Sequence, residues 1–451
     1  MMKILGSILF SAAFLIPIFS SSVWAESSLE DRLKFLEQEV AVVKRQLELK
    51  KEDEDKAKKE SPIVTASTKD GFSIKAPDDS LKLKIRGLVQ ADGRFFTDNQ
   101  KDNSTTDTFT VRRARLIFDG TVGKLFDFYI MPDFGNGQST LVDAYGEFKV
   151  DPTFKIRAGK FKAPLGLERL QSDAVANFTE TGLPSNLLPN REVGFQLSGD
   201  IIGDSVNYAV GIFNGTADLA SSNAQDSDNN NDKDLVARVF VQPFKNNGPE
   251  TFKGLGVGVA GSYGHKEAST TPTYKSPGQV NVFSYNSTSA DGAHIRISPQ
   301  AYFYKGSLGL IGEYAVSRQE VARNSGGVPV RDAFSNKAWQ VTGNYVLTGE
   351  LTSYKGITPL TQFDLSKGTW GAFEAVARYG RLDIDDSIFN NGFASLNTSI
   401  TEANAWGTGL NWYPHKNVRW SLDYDQTDFE RGATGGNRKT ENVISTRFQV
   451  A

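Results

Sequence analysis

The sequence contains no cysteine among its 451 residues and only three histidines. The absence of cysteine excludes thiol catalysis, disulfide bridges and cysteine-ligated metals. The histidines, His265, His294 and His415, lie far apart in the chain, which disfavours a histidine-rich metal site. No cofactor and no metal are therefore expected. The formal net charge of -3 provides no basic field that would indicate nucleic-acid binding.

Long hydrophobic runs are also scarce, since hydrophobic residues make up only 39% of the chain. After residue 25, no stretch reaches the roughly 18 consecutive apolar residues that a membrane-spanning helix needs. Residues 1–25 have the features of a secretory signal peptide: Lys3, an apolar stretch from Ile4 to Phe19, and Ala25 before the expected cleavage site. Export through a cleaved signal peptide is expected; a retained anchor is the alternative, disfavoured by Pro17 and the short run.

The next segment, residues 26–60, is expected to be a periplasmic coiled-coil helix followed by a solvated charge run over 50–60. Apolar residues recur there at the four-three spacing of heptad a and d positions. They are Leu29, Leu33, Leu36, Val40, Val43 and Leu47. The seam has no partner within its own segment, so copies of it are expected to oligomerise; a single helix lying on the protein or the envelope is the alternative. Residues 61–80 contain Pro62, Gly71 and Pro77 and are expected to be a linker.

From residue 81 onward the hydrophobic period changes to two. In residues 81–86, leucine and isoleucine alternate with lysine and arginine, which indicates a strand with one apolar and one charged face. About sixteen such segments follow, at ~23 residues per strand and connection, as in membrane barrels with alternating short turns and long loops. The turn clusters that divide them are 98–107, 214–234, 264–292, 323–336, 352–368, 386–401 and 430–440.

Two features favour a transmembrane antiparallel β-barrel of about sixteen strands over a soluble sandwich or stacked β domains. Full charges occur in the middle of the polar strand faces, and aromatic residues recur near segment ends, as in the girdles of membrane barrels. These aromatics are Phe95, Phe96, Phe118, Tyr263, Tyr345, Trp370, Trp412 and Tyr413. A closed barrel leaves no backbone group unpaired in hydrocarbon. Residues 81–451 are therefore expected to form an outer-membrane barrel around a water-filled lumen.

An ordered set of stretches covers the same part of the chain. They are TFTVRRARLIFDG (108–120), LVDAYGEFK (141–149), IRAGKFKAPLGLERLQS (156–172), NREVGFQLSG (190–199), GIFNGT (211–216), LTGELTSYKGITP (347–359), WGAFEAVARYGRL (370–382) and GTGLNWYPHKNVRW (407–420). Together they resemble the phosphate-selective porins, the porin O and P family of Gram-negative outer membranes. The resemblance implies a sixteen-stranded, homotrimeric barrel with an inward-folded constriction loop and a preference for anions, often phosphate. Outer-membrane lipid and small anions are thus the expected partners, without nucleic acid.

Three arginines in one expected strand are the main candidates for anion selection. Arg113 and Arg115 share the lumen phase, whereas Arg112 lies on the other phase and is expected at a strand end, a bulge or an inward-leaning position. The resemblance implies that Arg112 and Arg113 lie near the narrowest point. Fixed guanidinium groups in a narrow channel can replace the hydration shell of a passing anion. For each basic residue, the alternative is a salt bridge to a lumenal carboxylate that only stiffens the wall.

Residues 160–191 are the expected constriction loop, because the stretch is long, contains three prolines and has few strand signals. Asp143 resembles the family's single acidic residue near the narrowest point, where a carboxylate would aid anion release or brace an arginine. The remaining candidates would extend the basic path along the first strand and the start of the loop. They are Lys82, Lys84, Arg86, Lys160, Lys162 and Arg169.

The favoured function is a water-filled pore for passive diffusion of small anions, with the phosphate type as the expected class. No GxSxG, P-loop or HExxH motif occurs in the sequence, so no enzyme activity is expected. The alternatives are a non-selective general porin, a structural or adhesive outer-membrane barrel that does not conduct, and an outer-membrane hydrolase that would use His265, Asp291 and Ser298.

Overall fold

The computed structural model describes residues 29–67, 71–97, 105–219, 231–325 and 328–451. The expected signal peptide lies outside these residues. The chain divides into two compact units, one that ends at Ser61 and one from Pro62 to Ala451. Within the described ranges, no helix combines the length and the apolar character that crossing a membrane requires.

The first unit is a single helix, α1, Leu29–Glu60. Its six heptad side chains are between 53% and 88% exposed, so the seam has no partner within the chain segment that carries it. The helix also continues through the charge run of 50–60, which the sequence had suggested as a separate solvated segment. Lysine, glutamate and alanine are strong helix formers, and charges of both signs are mixed there. Pairing of this helix with copies of itself stays a prediction.

The second unit is a closed antiparallel barrel, which confirms the expected fold class. Sixteen barrel strands occur in the described part of the chain. In chain order they are β1 Leu81–Phe96, β2 Thr108–Val122, β3 Phe126–Asp133, β4 Thr140–Asp151, β5 Phe154–Lys162, β6 Arg191–Ile201, β7 Val206–Phe213, β8 Asp234–Val241, β9 Leu255–Ser269, β10 Thr288–Lys305, β11 Leu308–Ser325, β12 Val328–Val346, β13 Ala372–Asp383, β14 Ile400–His415, β15 Val418–Ala433 and β16 Glu441–Val450. The last strand pairs with the first, with Val450 opposite Val89, and this pairing closes the barrel.

Side chains alternate between the lumen and the outside along the barrel strands. In β16, Ser445, Arg447 and Gln449 are buried in the interior, whereas Phe448 and Val450 are 46% and 44% exposed on the outer face. Apolar side chains on the outside and charged ones within are the opposite of a soluble protein. The alternation therefore fits a wall between hydrocarbon and an aqueous lumen.

The expected aromatic girdle is largely on the outside. Tyr263, Tyr345 and Trp370 are between 53% and 58% exposed. Tyr413 differs from the expectation, because it is buried and its hydroxyl donates a hydrogen bond of 2.8 Å to Oε2 of Glu374 on β13. A buried hydroxyl needs such a partner, and Tyr413 is therefore a lumen residue.

Connections at the two ends of the barrel differ in length. One end has the short turns 123–125, 152–153, 306–307 and 416–417, with 347–371 as a long exception. We call it the turn end. The opposite end, the loop end, carries 163–190, 270–287 and 384–399. The predicted turn cluster 323–336 was wrong, because β11 runs to Ser325 and β12 begins at Val328, so most of this polar stretch is strand.

Residues 61–80 are not the expected linker. Strands Ile63–Ser67 and Gly71–Lys75 form a hairpin, and the second pairs with β1, with Phe72 opposite Ile85. Because β16 covers β1 only from Val89 onward, the first half of β1 would otherwise be an open edge with unpaired backbone groups. The hairpin covers this edge. It was not predicted, because the turn-forming residues of 61–80 favour a linker.

The seam between the last and first strands generates a stability prediction. Arg447 Nε and Nη2 donate to the two carboxylate oxygens of Asp92 at 2.7 and 2.6 Å, and both side chains are buried. Among the residues that the structure describes, Asp92→Ala leaves the guanidinium with Glu180 as its one acidic neighbour, 3.8 Å away. We expect a destabilisation of about 3 kcal/mol, measured as a lower unfolding temperature in a heat-modifiable gel shift. Lys367→Gln breaks an exposed ion pair and should change this temperature little; equal shifts would contradict the prediction.

Candidate functional site

The connection between β5 and β6, residues 163–190, folds into the barrel, as expected for the constriction loop. Its backbone is bound by the wall opposite its ends. Leu167 N donates to Oε1 of Glu313 on β11 at 3.0 Å, and Thr179 N donates to Oδ2 of Asp423 on β15 at 2.8 Å. The loop therefore crosses the lumen and is fixed at both sides.

Apolar side chains hold the same loop in place. Leu165, Leu183 and Leu187 are buried in a cluster with barrel side chains, and a short 3-10 helix, Leu183–Leu187, packs on β11, β12 and β13. Gly166 has φ +78, and a Cβ there would lie 2.7 Å from the side chain of Leu188. Glycine is therefore required where the loop turns toward the opposite wall.

Four adjoining cavities extend through the barrel. From the loop end they are a loop-end vestibule of about 1100 Å³, a central pocket of about 240 Å³, a wide chamber of about 610 Å³ and a turn-end cavity of about 280 Å³. Lys275 and Gln279 line both of the first two, and Tyr129 and Tyr145 line both of the last two. Because neighbouring cavities share lining residues, the four adjoin one another from the loop end to the turn end.

The central pocket and the wide chamber meet at five residues that line both. We call these the eyelet; they are Arg115, Lys162, Gln171, Asp173 and Arg191. Two of them come from the constriction loop and three from β2, β5 and β6. A solute that moves along the path must therefore pass between a loop and a wall that are both charged.

All three arginines predicted from the sequence line the central pocket, and Arg115 also reaches the wide chamber. Of the three positions expected for Arg112, the register of β1 and β2 shows the bulge: Gln90 is opposite Arg113, but Ala91 is opposite Val111. Arg112 is the extra residue, so two consecutive arginines can both face the lumen.

Each of these arginines is held by hydrogen bonds. Arg112 Nε donates to Oε1 of Glu180 at 2.7 Å, and Arg113 Nη1 donates to Oε1 of Gln90 at 2.7 Å. The third, Arg115, donates through Nε to Oδ2 of Asp133 at 2.7 Å. The guanidinium groups are thus fixed in direction before any solute arrives, and the ion pairs also stiffen the wall.

Arg169 is a buried cation on the loop with little compensation. Its guanidinium donates to the carbonyl of Ser185, its Nε has no hydrogen-bond partner, and the group lines the central pocket. Burial, followed by the charge of Arg191, lowers the pKa of Arg169 to about 10. Among the described residues, no carboxylate lies within ion-pair distance of it. An anion in the pocket would supply the missing charge.

The other predicted site residues fall at different depths. Lys82 and Lys84 line the turn-end cavity, whereas Arg86 and Asp143 line the wide chamber. Lys160 is buried, but it does not line any of these four cavities. The structure therefore brings Lys162 and Arg169, but not Lys160, to the central pocket.

Sequence reasoning missed two basic residues of the central pocket. Arg191 is the first residue of β6 and belongs to the eyelet; its position as the last residue of the predicted loop 160–191 was a usable signal. Lys275 lies on an inward hairpin formed by Thr273–Lys275 and Asn281–Ser284. It falls in the predicted turn cluster 264–292, and no local pattern marks this segment as lumenal.

The central pocket carries an excess of positive charge. Seven basic side chains line it, and three acidic ones do. The basic residues are Arg112, Arg113, Arg115, Lys162, Arg169, Arg191 and Lys275; the acidic residues are Glu168, Asp173 and Glu180. Charges of one sign in a narrow cleft with low-dielectric walls concentrate counter-ions. The pocket is therefore suited to anions.

Residues 83–451 match the family of phosphate-selective porins O and P. The chain belongs to this family. It is 24% identical over 421 residues to porin O of Pseudomonas aeruginosa, a match that covers 86% of this chain and 92% of that protein. This porin is accordingly an anion-selective channel of the outer membrane, as its cation-lined path also indicates.

Solved structures of outer-membrane proteins share the fold of this porin. The channel DcaP of Acinetobacter baumannii superimposes with a TM-score of 0.55 at 11% identity, over 86% of this chain and 99% of that one. OmpT of Vibrio cholerae in its trimer form gives a TM-score of 0.51 at 14% identity, over 82% and 99% of the two chains. At these identities, the likeness concerns the fold alone.

Loop anchoring by apolar contacts can be tested in this porin. Leu187 is fully buried, and Leu187→Ala should leave a void that costs about 2–5 kcal/mol locally. We expect a looser constriction loop and therefore larger fluctuations of the open-channel current in planar bilayers. Leu360→Ala, at a position 77% exposed, is the matched control. Equal current noise in the two variants would show that this contact does not fix the loop.

Proposed function

We propose that this porin passes small phosphate-type anions through the central pocket and the eyelet. The single observation that carries the proposal is the charge of the central pocket, where basic side chains outnumber acidic ones by seven to three. Guanidinium groups are well matched to tetrahedral oxyanions, because their planar donors form paired hydrogen bonds with two oxygens.

An anion would move along the basic path in steps. Lys275 lines both the loop-end vestibule and the central pocket. An anion bound by Lys275 would therefore move next to Arg112 and Arg113. Arg115 and Lys162 of the eyelet reach both sides of the junction. Several moderate sites in series allow release, whereas a single deep site would block conduction.

Beyond the eyelet the path would continue toward the turn end. Arg86 lines the wide chamber next to Asp119, with Nη2 2.6 Å from Oδ1, and Lys82 and Lys84 line the last cavity. Asp143 lies 3.3 Å from Nε of Arg191 in the same chamber. Its carboxylate would weaken the hold of the eyelet on a departing anion and so favour release.

Two other functions are less well supported. A non-selective general porin would need no excess of one charge at its narrow point, which the central pocket has. A structural or adhesive barrel would need no continuous path, whereas the four cavities adjoin one another. Conduction without catalysis is thus the proposal, with phosphate as the favoured solute class.

Anion selection by the three arginines can be measured directly. The triple variant Arg112→Gln, Arg113→Gln and Arg115→Gln should lower the anion-to-cation permeability ratio by about tenfold, a change of about 1.4 kcal/mol. The measurement is the reversal potential across a planar bilayer under a KCl gradient. A charge-matched triple variant, with Lys253, Lys367 and Arg331 changed to glutamine outside the four cavities, is the control. An unchanged ratio in the arginine variant would remove these residues from the mechanism.

We also propose that the porin is a homotrimer in contact through its low wall. Strands β3, β5, β7 and β8 have only eight or nine residues, whereas β10, β11 and β12 have 18 or 19. At ~3.3 Å per residue and a tilt of ~40°, eight residues rise about 20 Å, less than the apolar band of ~25 Å. Adjacent copies would cover the missing height. OmpT, which shares the fold, has been solved as a trimer.

Helix α1 would support the same assembly. Its exposed leucine and valine seam lacks a partner within its own unit, and a parallel coiled coil with two further copies would bury it. Three heptads are marginal for an isolated helix, so association and helix stability would depend on each other.

Deletion of residues 29–47 tests this role of the helix. The truncated porin should dissociate into monomers at a lower temperature than the full chain, because the coiled coil no longer contributes. Single-channel conductance in planar bilayers should stay nearly unchanged. Replacing the four leucines of the seam by serine should have the same effect as the deletion. An unaltered dissociation temperature would contradict the coiled-coil proposal but not the barrel's function.

A further inference from the structure

The eyelet already contains a negative charge that belongs to the chain. The carboxylate of Asp173, on the constriction loop, pairs with Arg115 and faces three further cations. Its Oδ2 lies 3.5 Å from Nε of Arg113 and 3.7 Å from Nη2 of Arg191, and its Oδ1 lies 3.9 Å from Nζ of Lys162. Four basic side chains thus surround one carboxylate.

Asp173 stands where a permeating anion must pass. It lines both the central pocket and the wide chamber, as do Arg115, Lys162 and Arg191. Its own backbone carbonyl accepts a hydrogen bond of 3.0 Å from Nε2 of Gln90 on β1. The main chain is therefore fixed beside the eyelet, and the side chain reaches into it.

The carboxylate is ionised in this position. Burial alone would raise its pKa, but the surrounding cations, led by Arg113, outweigh burial and hold the pKa of Asp173 well below its usual range. The four basic residues consequently face a full negative charge at neutral pH. An anion that enters the eyelet meets a site whose charge is already partly neutralised.

We propose that Asp173 is a tethered competitor: a carboxylate of the chain that occupies the anion position of the eyelet and is displaced by each passing solute. The inference rests on the proposed anion path and deepens it. The matching solute is a compact oxyanion with two negative charges, such as hydrogenphosphate or sulfate, whose several oxygens can reach the four cations at once. A monovalent ion without this arrangement gains less when it replaces the carboxylate.

The contacts of Asp173 suit a group that is displaced. Apart from the pair with Arg115, its distances of 3.5 to 3.9 Å to the other cations exceed those of good charge-assisted hydrogen bonds. Another loop carboxylate, Glu180, also has one close arginine and more distant cations, but it is held through both oxygens, whereas Asp173 bonds Arg115 through Oδ2 alone. The two oxygens of Glu180 accept hydrogen bonds of 2.7 and 3.1 Å from Arg112, and Glu180 does not line the wide chamber. Glu180 therefore braces the loop, whereas Asp173 is the exchangeable anion.

Competition by a tethered group would keep the affinity of the eyelet for anions low and their exchange fast. An attached ligand acts at an effective concentration in the millimolar range, so it lowers the apparent affinity of every solute for the same cations. The returning carboxylate would also assist departure of the bound anion. Rapid exchange at a site with four cations is what conduction requires.

The test is block of the chloride current by phosphate in planar bilayers. Asp173→Asn removes the competing charge and nearly preserves the size of the side chain. We expect the phosphate concentration that halves the chloride current to fall by about tenfold or more, and sulfate to behave in the same way. Asp200→Asn is the matched control, because Asp200 pairs with Lys155 at 2.8 Å and lines none of the four cavities.

An unchanged or higher half-blocking concentration in Asp173→Asn, with Asp200→Asn equal to the wild type, would overturn the inference and leave Asp173 as a brace of the loop. If the asparagine variant does not form folded channels, Asp173→Ser provides the same comparison, and the same tightening is required of it. The reversal potential of the wild type distinguishes failure of the proposed function from failure of the role of Asp173. Failure of anion preference there rejects the proposed function, whereas anion preference without tighter block in either variant rejects only the role of Asp173.

Discussion

Complete pairing of backbone groups is the constraint on which the rest of this structure depends. In hydrocarbon an unpaired N–H or C=O is costly, so the sheet must close, and the pairing of β16 with β1 closes it. Closure then fixes which face of every strand meets lipid and which meets water. The same need explains the hairpin at Gly71–Lys75, which covers the half of β1 that β16 does not reach.

Closure of the barrel places charged side chains in the interior, and these buried charges need partners of opposite charge. Buried arginines of the wall are paired within the sheet: Arg378 with Asp425, two strands away, and Arg447 with Asp92, on the adjacent strand. These pairs are structural. Around the central pocket the balance differs, because basic side chains outnumber carboxylates there and all three carboxylates, Glu168, Asp173 and Glu180, belong to the inserted loop. Wall charges are thus balanced within the sheet, while charges on the permeation path are balanced by a segment that crosses it.

The sequence predicted what depends on local periodicity. Two-residue alternation identified the barrel, and the phase conflict at Arg112 marked an irregularity for which a bulge was one of three alternatives. Contacts between segments distant in the chain were not predictable in this way: Lys275 reaches the pocket on a hairpin held by Asn186, which bonds its backbone N and O at 2.9 Å each. The hairpin of residues 63–75 was missed for the same reason, since its strands are specified by an open edge elsewhere. Sequence marks a residue as charged, but only tertiary placement decides whether it faces solute, lipid or another charge.

The bulge at Arg112 has a consequence for how such a pore can change over generations. Side chains alternate between the two faces along a regular strand. At a bulge, one extra residue adds a second guanidinium to the water-filled side, and the neighbouring side chains keep their faces. Loss of that single codon would restore the regular register, with Val111 still opposite Ala91 and Arg113 opposite Gln90, so Phe109 and Val111 would keep their places on the outer face. Charge density at the waist of this channel can therefore change by one residue of chain length at the bulge while the wall on both sides of it keeps its faces.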